Sequence, residues 1–252
     1  MQSLEIFSTP WILASCAVLF AAFVRGLSGF GFALILAPLL LLLLNPVAVV
    51  VTNLFLGFFS HIGIVLWSLK RIELKRIYPM LASSLLGIPL GVCIINVAAP
   101  SLLKIVIGAV IIAFAIPMAI GFRRTINNER LGSGIAGFLS GILASSTSLG
   151  GPPIVLFMHN QGWSKQAIHP SLAAYFMLLT TFALIALYVS NQVHVETIAT
   201  AASLLPAMLI GVIVGVRTFD RTDSRLFQRL SIAIVIGAGI LGILSGTGIL
   251  SR

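Results

Sequence analysis

Between Gly141 and Phe157 the sequence reads Gly-Ile-Leu-Ala-Ser-Ser-Thr-Ser-Leu-Gly-Gly-Pro-Pro-Ile-Val-Leu-Phe, with four consecutive hydroxyl residues, paired glycines and paired prolines set in apolar chain. The prolines remove backbone donors and the glycines weaken helix propensity, so a helix entering this stretch stops. In a bilayer such a break leaves backbone groups without water, and it persists only against protein or a wet cavity. Residues 145–153 are therefore the first candidate for a site that handles a solute.

The bilayer follows from composition. The chain is 59% hydrophobic and 8% charged, where soluble domains carry about a quarter of their residues charged. It reads as an all-α polytopic membrane protein. The net charge of +9 does not mark a nucleic-acid partner, because the basic residues sit in short clusters between apolar runs of roughly 20 residues, the pattern of cytoplasmic loops. Cys16 and Cys93 lie inside apolar segments and read as packing residues, offering neither a disulfide framework nor a zinc ligand set. No metal or cofactor is expected. Residues 1–10 hold Glu5 and no basic residue, so the first apolar run reads as a retained anchor.

That run, Trp11 to Leu44, is about 34 residues, too long for one straight span of about 20. Arg25-Gly-Leu-Ser-Gly-Phe-Gly31 interrupts it, leaving arms of about 14 residues, roughly 21 Å each. The simplest geometry is a helical hairpin that breaks near the membrane interior and returns. Asn45-Pro46 then opens a span over 47–68, and spans over 77–98 and 102–121 follow the basic loop 70–76. The second half repeats the plan: a small-residue segment 131–146, the break, a short piece 152–161, and spans over 165–189, 195–216 and 226–250. An offset of 124 superposes Pro46 on Pro170, Gly87 on Gly211, Gly91 on Gly215 and Leu102 on Leu226. This reads as an internal duplication: repeats 1–122 and 131–252 joined by a basic cytoplasmic linker, 123–130. Transporters commonly hold substrate between such repeats.

One returning hairpin and three spans per half make the halves inverted relative to each other. Twelve basic residues from Lys70 to Arg229 then share one face, with Lys104 and Arg252 opposite. Four crossings per half would split them almost evenly, so the positive-inside rule favours inverted repeats with both termini outside.

All six acids, Glu5, Glu73, Glu129, Glu196, Asp220 and Asp223, fall in predicted loops or the N-terminal tail. No carboxylate relay occupies the spans, and no phosphate-cradling motif offers nucleotide hydrolysis. What remains at depth suits an anion: Arg25, the positive ends of helices restarting after each break, and hydroxyls at Ser28, Ser145, Ser146 and Thr147. The tip glycines Gly29, Gly31, Gly150 and Gly151 can present N–H groups unobstructed. The bland alternatives are that Arg25 snorkels to an interface and that the hydroxyls bond their own helix at i−4. Thr52, Asn53, His61 and Tyr175 are polar groups on spans, where helix-to-helix bonding competes with substrate contact. Asn53 stands nearest the first hairpin, and His61 is the protonatable candidate for coupling. Gly87, Gly91, Gly132, Gly134, Gly137 and Gly141 read as close-packing positions.

The two breaks, Arg25 to Gly31 and Ser140 to Leu156, resemble the sulfite exporter TauE/SafE family. The resemblance covers essentially the whole chain, with Gly-Gly-Pro-Pro its most specific element, joined by Gly87 and Gly91 and the His-Pro-Ser-Leu-Ala-Ala-Tyr-Phe run from His169. It implies a bacterial inner-membrane permease for sulfite, sulfoacetate, other sulfonates or related carboxylates. Phe32 and Ala33 depart from a glycine-richer form of the first motif, and their bulk changes the pocket at that tip.

The expected function is a secondary transporter holding a small oxyanion between the two tips, with access alternating between repeats. The partners are that anion, the lipid bilayer and a coupling proton, with a homodimer left open. A passive anion channel through the same breaks is the alternative. A non-transporting subunit or an intramembrane enzyme is a third, and no nucleophile–base pair or metal motif at membrane depth supports the enzyme.

Overall fold

The computed structural model describes residues 7–28, 31–119, 128–218 and 240, and among these every regular element is helical. Helices α1 (Thr9–Ser28) and α2 (Phe32–Leu40) form a first hairpin, followed by α3 (Pro46–Ser68), α4 (Leu74–Val97) and α5 (Pro100–Ala119). A second hairpin, α6 (Glu129–Thr147) and α7 (Gly151–Asn160), is followed by α8 (Lys165–Val189), α9 (Val195–Ser203) and α10 (Leu205–Thr218). Among the described residues, five stretches are long and apolar enough to cross a membrane: Thr9–Gly26, Pro46–Leu66, Leu74–Val97, Ala167–Val189 and Val195–Thr218. The predicted span 226–250, save Ile240, and linker residues 123–127 lie outside the described residues.

Helix starts follow local chemistry. The Asn45 side chain accepts from the Ala48 N–H at 2.9 Å, with Pro46 in the first turn, and Asn128 and Ser164 cap α6 and α8 in the same way. The hairpin arms are unequal, against the expectation of matched arms of about 14 residues: α1 has 20 residues and α2 has 9. One glycine inside a helix costs only about 1 kcal/mol, so α1 runs on through Arg25 and Gly26 to Ser28. The span expected over 195–216 is interrupted at Leu204, just before Pro206, which has no N–H for the helical ladder.

Glycines set the tightest packing. A Cβ at Gly87 would meet the Phe138 carbonyl oxygen, one at Gly91 that of Ile142, and one at Gly141 that of Ser84, so α4 and α6 touch backbone to backbone. A Cβ at Gly211 or Gly215 would meet the Leu19 or Phe23 carbonyl, and one at Gly26 that of Val212, so α1 lies on α10 in the same way. In both pairs the contacts advance together along the two helices, which therefore run parallel. Each hairpin thus packs on a helix from the other half of the chain. Cys16 and Cys93, read as packing residues, are exposed on the outer surface instead.

Two ends can be distinguished. At one, Arg76 contacts Glu129 at 2.7 Å and Glu73 at 3.1 Å and lies 4.0 Å over the Trp163 ring, while the Glu73 N–H donates to Ser171 Oγ at 3.0 Å. The end of α3 and the starts of α4, α6 and α8 meet there. At the other, the start of α3 faces the end of α8 and the start of α9 across a polar chamber that includes Asn45 and Gln192. Near the start of α1, the Trp11 indole donates to Ser203 at 2.9 Å.

Candidate functional site

Helix α6 continues through Ser145, Ser146 and Thr147 and ends at Ser148, whose backbone is left-handed with φ 61°. The N–H groups of Ser148 and Leu149 return to the carbonyls of Ala144 and Leu143, closing the helix as a left-handed C-cap does. Helix α7 restarts at Gly151 with Pro152 and Pro153 in its first turn, where their missing donors have no helical partner anyway. Ser140 Oγ donates to the Gly150 carbonyl at 2.6 Å, tying this tip back onto α6. At the first tip Gly31 sits at φ 88°, before the uncapped start of α2.

The two tips face one cavity of about 80 Å³, room for a few waters or a small oxyanion and well below the 300–1,000 Å³ of drug-sized pockets. Arg25, Gly31, Asn53, His61, Gly150 and Gly151 all line it, joined by Phe32, Ala33, Gly57, Ser148, Phe176 and Thr180. Phe32 and Ala33, the bulky departures in the first motif, thus form part of its wall. Among its lining residues there is no carboxylate.

Arg25 is 6% exposed. Its Nη2 lies 2.6 Å from His61 Nδ1 and 3.1 Å from Nε2, and its guanidinium is 5.9 Å from the centre of the Phe32 ring. Arginine only donates, so the ring nitrogen it meets accepts and the imidazole in this arrangement is neutral. Arg25 Nε is buried with no hydrogen-bond partner. The Phe176 ring packs 5.7 Å from that of His61. Asn53 donates from Nδ2 to Ser148 Oγ at 2.9 Å, linking α3 to the second tip, while its Oδ1 has no partner.

The other predicted hydroxyls lie elsewhere. Ser145 donates to the Gly141 carbonyl at 2.8 Å and the Ile88 carbonyl at 3.0 Å, Ser146 to Ile142 at 2.6 Å and Thr147 to Leu143 at 2.7 Å. These are the helix-backbone bonds that competed with a ligand role, and none of the three residues lines the cavity. Ser148 does, although sequence reasoning did not single it out. Its signal was its place at the end of the hydroxyl run, where the helix closes and the Ser148 hydroxyl donates to the adjacent Thr147 carbonyl instead of one four residues back. The Ser28 side chain and Gly29 fall outside the described residues.

The family model for the sulfite exporter TauE/SafE matches residues 14–242, most of the chain. The chain belongs to the TauE/SafE family. No curated protein and no solved structure matches it. As a TauE/SafE member it is a multi-pass membrane transporter of sulfur-containing anions, and a cavity with a buried arginine and no lining carboxylate fits that charge.

Proposed function

We propose that this TauE/SafE protein is a secondary transporter of sulfite, sulfoacetate or another sulfonate, bound in the cavity between the two hairpin tips. The observation that carries this reading is Arg25: a cation 6% exposed, without a carboxylate partner among the described residues, at the place where both helix breaks converge. A buried charge lacking a counter-ion is costly, and a small oxyanion supplies one. Gly31, Gly150 and Gly151 offer backbone donors at the restarts of α2 and α7, and Asn53 Nδ2 keeps a second N–H beyond the one given to Ser148.

His61 is the coupling group in this scheme. Protonation ends its role as acceptor for Arg25 and puts a second positive charge beside the cavity, so a proton and an anion favour each other's binding. Residues 1–122 and 131–252 act as two inverted repeats that rock about the shared site. The reciprocal packing of α1 on α10 and α6 on α4 supports this, as does the meeting of Arg71, Arg76 and Arg130 at one end, which we read as cytoplasmic in a bacterial inner membrane.

Reconstitution into liposomes tests the function. The purified protein is expected to move sulfite or a sulfonate across the bilayer, saturably and at transporter rates. No flux under any ion or proton gradient overturns the reading.

A further inference from the structure

A second cavity, about 190 Å³, lies where the start of α3 meets the α8–α9 connection, with Asn45, Thr52, Gln192, His194, Glu196 and Thr200 among its lining residues. Its inner wall is Thr52, fully buried, whose Oγ1 has no hydrogen-bond partner. Thr147, Thr180 and Thr181 each return their hydroxyl to the carbonyl four residues earlier, the ordinary outlet for a threonine in an apolar helix. Thr52 has no such bond, and a buried hydroxyl without a partner is destabilising.

Two helices also begin at this chamber. The start of α3 contributes Asn45, Val47 and Ala48, and that of α9 contributes His194, Glu196 and Thr197. His194 makes no side-chain cap bond to α9, so the first-turn N–H groups of that nine-residue helix lie at the chamber without a capping side chain, their positive dipole end offset in part by Glu196 in the same turn. Glu196 is the one lining carboxylate. It sits exposed at the mouth, where water weakens its repulsion, whereas Thr52 and Thr200 are buried. Thr52 immediately precedes Asn53, which lines the tip cavity, so adjacent residues of one helix border the two chambers.

We propose that this chamber is a second anion subsite, where a small oxyanion pauses on its way to or from the tips, with Thr52 its innermost donor. The transit role rests on the reading of the tip cavity as the transport site; binding in the chamber does not.

Radiolabelled sulfite binding to the full-length protein in detergent tests it. The wild type is expected to bind a tight and a weak anion. Thr52→Val, similar in volume, should weaken only the second by about tenfold, the effect of one hydrogen bond to a charged group, with an unchanged or raised melting temperature because the unpaired hydroxyl is gone. Glu196→Gln should tighten that same ion several-fold. A single ion lost in Arg25→Ala and retained in Thr52→Val overturns the chamber and leaves the tip site standing. A single ion lost in Thr52→Val and retained in Arg25→Ala upholds the chamber and overturns the tip site. No bound sulfite overturns both. A lipid phosphate presents the same oxygens, so a second ion displaced by added phosphatidylglycerol assigns the chamber to lipid and overturns the transit role.

Discussion

Arg25 Nη2 lies 2.6 Å from His61 Nδ1, a contact that joins the end of α1 to the middle of α3 inside the cavity between the two hairpin tips. The ring stands where a counter-ion would, and it can satisfy a guanidinium without neutralising it. An anion entering the cavity gains the charge that the ring leaves uncompensated.

Replacing Arg25 by Gln removes that charge. Hydrogen bonds to charged groups contribute about 1.5–3 kcal/mol, so sulfite affinity is expected to fall roughly 10- to 150-fold. Equilibrium binding measures it, and Arg25→Lys should recover only part, because an ammonium lacks the planar fork of donors.

Protonation of His61 breaks its acceptor role and adds positive charge, so anion affinity should rise as pH falls. A sulfonate of fixed charge isolates the effect from titration of the substrate. Flux in liposomes is expected to increase on acidification in the wild type and to lose that response in His61→Gln.

The hydroxyl run divides by bonding. Ser146→Ala and Thr147→Ala remove bonds to carbonyls of their own helix and should leave sulfite affinity within about twofold, the scale of a few tenths of a kcal/mol. Ser148→Ala removes the acceptor for Asn53 and exposes the tip to rearrangement. It is expected to weaken binding about fivefold, the effect of a net hydrogen bond near 1 kcal/mol.

Glycine positions separate by their surroundings. Gly87→Ala drives a methyl into the Phe138 backbone, an overpacking of about 1–3 kcal/mol, and should lower the melting temperature. Gly134→Ala meets nothing within 4 Å and should keep or raise it, since alanine is the better helix former by up to about 1 kcal/mol. Gly31→Ala also has open space, yet its φ of 88° makes any side chain cost about 1–2 kcal/mol.

Much of this was legible in the residues. Asn45-Pro46 marked the start of α3, the span expected over 165–189 coincides with α8, and Gly-Gly-Pro-Pro marked the second tip. The length of α1 was not: Gly26 looked like part of the break but serves close contact with α10. Small residues at helical spacing announce a tight face without naming its partner, so the crossing of each hairpin to the opposite half had no sequence signature. Arg25 and His61 were each visible as polar groups at depth, but nothing local joins residues 36 apart. Thr147 and Ser148 look alike in the sequence, and only the turn to left-handed backbone between helix and tip brings the second to the cavity, where its hydroxyl donates to the Thr147 carbonyl and accepts from Asn53.

The central claim, that the anion sits between the two tips with Arg25 as its counter-charge, is tested most directly by a crystal structure grown with selenite, the heavier analogue of sulfite. The account predicts that the strongest anomalous selenium peak lies within hydrogen-bond distance of the Arg25 guanidinium, between Gly31 and the Gly150–Gly151 turn. A cavity empty of selenium while the ion is bound elsewhere on the protein would contradict it.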